Sequence, residues 1–207
     1  MRRITPVVMA LAALLHAGAM HAQRRFESPQ IALPLMDAAP TVDGTIGEGE
    51  WAGAVRMIGL IPAGRTQLAH RQAASWLASD GTRVYFAMKS EAPPGGKLVS
   101  ALEPAADDTD VATINDDSIE VWLDPHLGES GRGLYQALFN SLGAIYDRQH
   151  DPGANWRGDW QLASRIVEGW WHFEGSVSLE SLGVTTPLVG QTWGVRLARA
   201  WKNPGEQ

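Results

Sequence analysis

The sequence has no cysteine among its 207 residues. No disulfide can therefore hold the chain together, and neither a cysteine-ligated zinc site nor a thiol nucleophile can form. The stability must come from a hydrophobic core, which a chain of this length can build as one domain. The apolar run at residues 7–15 is too short to span a membrane, because a spanning helix needs about 20 apolar residues.

Basic residues are fewer than acidic residues. The chain has 17 lysines and arginines against 23 acidic residues, for a net charge of −6. An acidic protein binds nucleic acid and anionic lipid poorly, so we expect neither as a partner. A neutral, hydroxyl-rich glycan or oligosaccharide is electrostatically compatible with such a chain.

Catalytic motifs are missing as well. We find no nucleophile elbow, phosphate-binding loop or metal-binding histidine pair. Glu120 with Glu174 or Asp117 could be imagined as the carboxylate pair of a glycoside hydrolase, but the sequence fixes no separation between them. We therefore expect no catalytic activity in this segment, although it can be part of a longer glycoside hydrolase.

The first 22 residues have the layout of a secretory signal peptide. Arg2 and Arg3 precede the short apolar run, and small residues follow it around Ala19 and Ala22. This predicts a secreted, periplasmic or cell-surface protein that is not inserted in a membrane once the signal is removed. Residues 23–39 would then be a leader, and residues 40–207 the folded domain.

Residues 118–124 are the clearest strand of the sequence. Ile119, Val121 and Leu123 alternate with Glu120 and Trp122. Strict alternation of this kind is typical of a strand with one buried face. We interpret it as a central strand whose other face places a carboxylate beside an indole.

Further alternating segments predict an all-β fold. Hairpins are expected at residues 72–90, with Asp80-Gly81 in the turn, and at residues 134–148 and 161–179. A last strand is expected at residues 192–201. About nine or ten short strands with almost no helical periodicity favour an antiparallel two-sheet β-sandwich of jelly-roll or immunoglobulin-like type. Because the sequence stops in a loop, we expect the domain to be truncated at its C-terminus or followed by more protein.

The order of these segments resembles family 9 carbohydrate-binding modules and their relatives. The similarity runs from about residue 40 to 201. The segments that carry it are 41–44 with Glu50 and Trp51, then 83–88, 115–125, 136–143, 173–182 and 192–199.

This resemblance implies a β-sandwich of the type shared with DOMON-like haem and sugar domains. In the sugar-binding members, two aromatic rings clamp the terminal sugar and polar groups hold its hydroxyls. Glu120 matches the family's glutamate on the central strand. Ile114 stands where the first clamp aromatic is expected, and Leu138 where an arginine is expected. Glu174 and Arg199 match positions that the family pattern predicts to form an ion pair within the sandwich.

Three residues are the candidates for contact with a glycan: Glu120, Trp122 and Trp156. An indole offers a flat, poorly hydrated surface to the C–H face of a sugar, and a carboxylate accepts hydrogen bonds from its hydroxyls. Trp156 is a candidate because it lies in a polar loop. The alternatives are that Trp122 is buried in the core and that Trp156 only anchors its loop.

Two other tryptophans are adjacent, at positions 170 and 171. Neighbouring residues of a strand face opposite sides, so we predict that one indole lies in the core and the other faces outward.

The acidic residues of the segment 97–117 raise the possibility of calcium. Asp107, Asp108 and Asp110 are weak candidate ligands, with Asp116 and Asp117 close by, because calcium prefers clustered oxygen ligands. The alternative is a solvated acidic loop.

Haem binding by a DOMON-like domain, or a purely structural sandwich, is the alternative function. Met88, Lys89, His126, His150 and His172 are available as axial ligands, but the sequence singles out no pair.

Overall fold

The structure, a computed structural model, describes residues 30–47, 49–93, 95, 97–104, 111–127, 133–185 and 188–202. The predicted signal peptide lies outside these residues, as do the calcium candidates Asp107, Asp108 and Asp110.

The described residues form nine strands, and all pairings between these strands are antiparallel. The strands are β1 (Val55–Ile58), β2 (Ala73–Ser79), β3 (Arg83–Glu91), β4 (Ser118–Asp124), β5 (Tyr135–Asn140), β6 (Ile145–Gln149), β7 (Trp160–Val167), β8 (Trp170–Ser178) and β9 (Gly194–Ala200). One sheet has the order β1-β2-β3-β8-β7 and the other β6-β5-β4-β9. The predicted all-β fold with two antiparallel sheets is confirmed.

Helical structure in the described chain is restricted to a short 3-10 helix at Val111–Asn115. No helix in this part of the chain has the length and apolar character required to cross a membrane. Before β1, residues 49–53 form turns, and Leu35 makes a single bridge with Ser79.

The core lies between the two sheets, where large side chains from both inner faces meet. Phe139 of the four-stranded sheet stacks on Phe86 and Phe173 of the other sheet, with ring centroids 5.9 and 5.4 Å apart. Trp171 is fully buried in the same cluster, whereas Trp170 is half-buried on the outer face. The predicted split of this tryptophan pair is confirmed, because strand neighbours point to opposite faces of the sheet.

Glu174 fastens the segment before β1 to the outer face of the five-stranded sheet. Its Oε2 accepts hydrogen bonds from the backbone N–H groups of residues 43–45, at 2.8–3.2 Å. Its Oε1 accepts one from Trp51 Nε1 at 2.9 Å. Complete burial raises the pKa of the Glu174 carboxyl, and the hydrogen bonds from Trp51 and the backbone offset part of that rise. The motif at residues 41–51 is therefore a structural clasp.

The predicted ion pair between Glu174 and Arg199 is wrong. Glu174 alternates with the core residues Phe173 and Gly175, so it points away from the other sheet. Arg199 pairs with Ile119 on the inner side of the four-stranded sheet and donates hydrogen bonds to Ser90 Oγ and, at 2.9 Å, to the carbonyl of Arg71. The two side chains lie on opposite sides of the five-stranded sheet.

Asp116 and Asp117 bind the protein's own backbone. Asp117 is fully buried and accepts hydrogen bonds from the N–H groups of Val99 and Lys202, at 2.7 and 2.6 Å. Asp116 accepts from two N–H groups of the segment 97–104 and from Asn140 Nδ2. These two carboxylates therefore anchor the described part of the acidic segment.

Candidate functional site

The outer face of β4 carries the carboxylate and indole that the alternation predicts. Ile119, Val121 and Leu123 are each 1% exposed and face the core. Glu120 and Trp122 are half-buried on the other face. Trp122 lies between Gln136 of β5 and Arg196 of β9 in the strand register.

A chain of hydrogen bonds holds Glu120 in place. Gln136 Nε2 donates to Glu120 Oε1 at 2.7 Å, and His150 Nε2 lies 2.8 Å from Gln136 Oε1. Because the amide nitrogen of Gln136 faces Glu120, its oxygen faces His150 and requires a donor there. His150 Nε2 therefore carries a proton. Arg196 adds a long ionic contact, 3.8 Å from Glu120 Oε2.

His150 also stacks on Trp122, with ring centroids 5.1 Å apart and planes inclined by 20°. Burial lowers the pKa of His150, and the positive charge of Arg148 lowers it further. The ring is therefore neutral near pH 7. The network and the stack together fix the orientation of one indole and one carboxylate on an open sheet face.

A shallow cavity of about 290 Å³ lies beside Trp122. Gly194 lines this cavity and lies close to Asp124, since a Cβ at this position would come within 3.2 Å of Asp124 Cβ. Asp124 supplies hydrogen-bond acceptors and Arg196 donors, while the indole supplies a flat apolar surface. The cavity is lined by Trp122, Asp124, Leu134, Gly194, Val195 and Arg196.

Trp122 has one polar atom that its described surroundings leave unsatisfied. Its Nε1 is buried and has no hydrogen-bond acceptor among the residues that the structure describes. An unpaired indole N–H costs free energy, so a water or ligand oxygen that reached it would be bound favourably.

The remainder of this sheet face is less open. The 3-10 helix contacts β5 and β6 and carries Ile114, which is 43% exposed. Leu138 lies opposite Glu120 and is buried. The two positions where the resemblance expects an aromatic ring and an arginine therefore present aliphatic side chains, and the polar groups available to a ligand concentrate around Trp122.

Trp156 lies away from this surface. Its ring packs against Tyr135 at 4.7 Å and against Trp160 at 6.2 Å, and its Nε1 donates to the Ser181 carbonyl at 2.6 Å. Tyr135 pairs with Leu123 on the inner side of the sheet. The structure thus brings Glu120 and Trp122 together and leaves Trp156, still half-buried, at a separate place.

The described haem-ligand candidates differ in their surroundings, and only Lys89 and His172 are register partners, on β3 and β8. Met88 is buried in the core, and Lys89 lies over the Trp170 ring. His172 is buried and accepts a hydrogen bond from the Ile46 N–H through Nδ1. Within the described ranges, no group of three or more histidine, aspartate or glutamate side chains is close enough to hold a metal ion.

Sequence reasoning missed Gln136, Asp124 and Arg196 as parts of the site, and it considered His150 only as a haem ligand. Gln136 and Arg196 flank Trp122 only through the register of three strands that are distant in the sequence. Asp124 carried a usable signal, because it continues the outward alternation of Glu120 and Trp122.

The fold is similar to that of solved carbohydrate-binding modules of family 9. A module from Caldicellulosiruptor kristjanssonii in complex with cellotriose has a TM-score of 0.56 and 12% identity, over 82% of this chain and 76% of that one. A module from the same organism in complex with glucose has a TM-score of 0.54 and 14% identity, over 79% of this chain and 74% of that one. The chain therefore has a family 9-like fold, as the sequence resemblance predicts. No protein-family model and no curated protein sequence matches it.

Proposed function

We propose that this chain, which shares its fold with family 9 carbohydrate-binding modules, is itself a carbohydrate-binding module. The ligand is a glycan or oligosaccharide that stacks on Trp122 in the cavity beside it. Asp124 accepts hydrogen bonds from the hydroxyl groups of the ligand, and Arg196 donates hydrogen bonds to the ligand's oxygens. Glu120 positions the neighbouring side chains of Gln136 and Arg196.

One observation carries the proposal: the half-buried indole of Trp122 lines an open cavity together with a carboxylate and a guanidinium. Sugars need both an apolar platform and groups that donate and accept hydrogen bonds. Two similar structures hold cellotriose and glucose, which makes glucose-based saccharides the first ligands to test.

The wider role is proposed on the sequence. The amino-terminal pattern of Arg2, Arg3 and an apolar run supports export from the cytoplasm. A module without catalytic groups of its own serves to hold an enzyme or a cell surface close to its glycan. We therefore propose a non-catalytic targeting role within a longer glycan-degrading or surface protein.

Titration calorimetry of the wild-type protein with glucose, cellobiose and cellotriose tests the binding. Trp122→Ala removes the platform, and loss of a central aromatic contact costs about 1–2 kcal/mol, which corresponds to a Kd that is roughly 5- to 30-fold weaker. Trp76→Ala, on the outer face of the other sheet, is the matched control and should bind saccharide like the wild type.

Three outcomes decide the proposal. The proposal is supported if the wild type binds saccharide, Trp122→Ala weakens that binding and Trp76→Ala leaves it unchanged. Folded wild-type protein that binds none of a broad oligosaccharide panel, or a folded Trp122→Ala variant that binds as well as the wild type, contradicts it. Trp156→Ala tests whether Trp156 also contributes, since a second contact would lower the affinity of this variant too.

A further inference from the structure

The outer face of the five-stranded sheet carries a second and larger cavity, of about 570 Å³. This volume is within the range of about 300–1,000 Å³ that is typical of small-molecule sites. We call it the β1–β2 groove. Its lining residues are Arg56, Ile58, Gly59, Leu68, Gln72, Ala73, Ala74, Trp76, Lys89 and Trp170.

The groove is apolar and exposed. Ile58 is 73% exposed and Leu68 is 64% exposed, although both are large aliphatic residues. The segment that Glu174 fastens covers another part of the same sheet face, around Tyr85 and Ala87, and stops short of these side chains. Two half-buried indoles, of Trp76 and Trp170, and two exposed aliphatic side chains thus line one cavity.

Two cations accompany the two indoles. The guanidinium of Arg56 lies over the Trp76 ring, 5.7 Å from its centroid, and the ammonium of Lys89 lies over the Trp170 ring at 5.4 Å. Neither cation has an acidic partner within 4 Å among the residues that the structure describes. In a chain with a net charge of −6, this groove is a local concentration of positive charge on an apolar surface.

The other polar side chain of the lining is already occupied. Gln72 Oε1 accepts a hydrogen bond from the Leu60 N–H, and its Nε2 donates to the carbonyls of Leu60 and Ala69. Arg56 and Lys89 can only donate, so Gln72 Oε1, which already accepts one hydrogen bond, is the one side-chain acceptor of the described lining. A sugar ring would leave most of its hydroxyl donors without side-chain partners there, in contrast to the cavity beside Trp122, where the Asp124 carboxylate accepts.

We propose that the β1–β2 groove is a second binding site, for a small carboxylate with a flat aromatic body. The hydrocarbon ring packs against the indoles and aliphatic walls, and the carboxylate binds Lys89 and Arg56 through charge-assisted hydrogen bonds. This site is independent of the saccharide site, because the two cavities lie on different sheets and share no lining residue.

The probe is 2-naphthoate, compared with its neutral analogue 2-naphthalenemethanol, in titration calorimetry at low and high salt. We expect 2-naphthoate to bind at least tenfold more tightly than the alcohol, and the difference to shrink at high salt as the charges are screened. The double variant Arg56→Gln with Lys89→Gln should bind both probes equally. Arg56 is exposed and Lys89 is half-buried, and circular dichroism checks that the variant is folded.

A second variant tests the apolar contact. Trp170→Leu should weaken both probes, whereas Trp122→Ala should leave both affinities unchanged. The proposal is overturned if the wild type binds neither probe, if it does not distinguish acid from alcohol, or if Trp122→Ala removes binding. It is also overturned if trigalacturonate displaces 2-naphthoate and binds more tightly, because the groove would then select an acidic sugar. None of these results depends on whether glucose-based saccharides bind beside Trp122.

Discussion

The imidazole of His150 lies nearly parallel to the indole of Trp122, 5.1 Å from it between ring centroids, while its Nε2 contacts Gln136. A single titratable ring thus touches both the aromatic platform and the polar network of the candidate site. Its protonation state therefore affects both.

We predict that His150 titrates below the ordinary histidine pKa of 6.5. Burial and the charge of Arg148 disfavour the protonated ring, so the midpoint should lie on the acid side of that value. An NMR titration of the imidazole signal, assigned by its loss in His150→Gln, measures it. A midpoint at or above 6.5 would show that this environment does not disfavour the charge.

The same shift has a consequence for stability. A pKa that is lowered in the folded state means that the unfolded chain binds more protons as the pH falls below 6.5. The stabilisation is present above pH 6.5 and is lost as the pH falls through the folded-state pKa. Urea unfolding at pH 7.5 and 5.5 should show that the free energy of unfolding falls more for the wild type than for His150→Gln when the pH is lowered. Equal decreases would contradict a lowered pKa for His150 in the folded state.

A second prediction concerns the clasp around Glu174. Glu174→Ala removes the acceptor of the Asp43 and Gly44 N–H groups and of the Trp51 indole N–H, whereas the Thr45 N–H keeps Asp43 Oδ1 as a second acceptor at 2.8 Å. We expect the free energy of unfolding to fall by about 3 kcal/mol, since each hydrogen bond to a charged group contributes roughly 1.5–3 kcal/mol. Trp51→Phe removes only one donor and keeps an aromatic ring, so it should cost less. Urea denaturation of both variants measures the two losses, and a larger loss for Trp51→Phe than for Glu174→Ala would contradict this prediction.

A third prediction concerns Gly175 in the middle of β8. A Cβ at this position would lie 2.6 Å from the Phe86 ring and 2.9 Å from Leu162. Gly175→Ala should therefore lower the free energy of unfolding by about 1–3 kcal/mol through overpacking. Gly53→Ala is the control, because its Cβ would meet only Met36, at an ordinary 3.8 Å. If the two variants unfold at the same urea concentration, the Phe86 ring does not approach Gly175 closely enough to crowd an added Cβ.

Alternation in the sequence was sufficient to predict much of the fold. The pattern from Ser118 to Asp124 defines β4 and places Glu120 and Trp122 on its outer face. Asp80-Gly81 marks the turn between β2 and β3. Both signals are local, because side chains alternate every two residues and a tight turn needs its own residues.

The errors arise where partners are distant in the sequence. The pattern gave Glu174 and Arg199 as partners, but it could not tell which side of its sheet each residue faces. The carboxylates of Asp116 and Asp117 look like an acidic cluster in the sequence, yet they accept hydrogen bonds from the backbone N–H groups of residues 99, 101, 102 and 202. Gln136, Arg196 and His150 become neighbours of Trp122 only through the sheet register and the loop after β6.

The clasp joins residues 43–45 to a carboxylate about 130 positions later in the chain. The ends of so long a loop meet only at a considerable entropic cost, so we expect this contact to form after the nearby hairpins. During synthesis, the segment that is made first must wait for β8 before it can dock. Until then, Trp51 and Tyr85 of β3, which are buried in one cluster in the folded protein, remain exposed to any chaperone or neighbouring nascent chain.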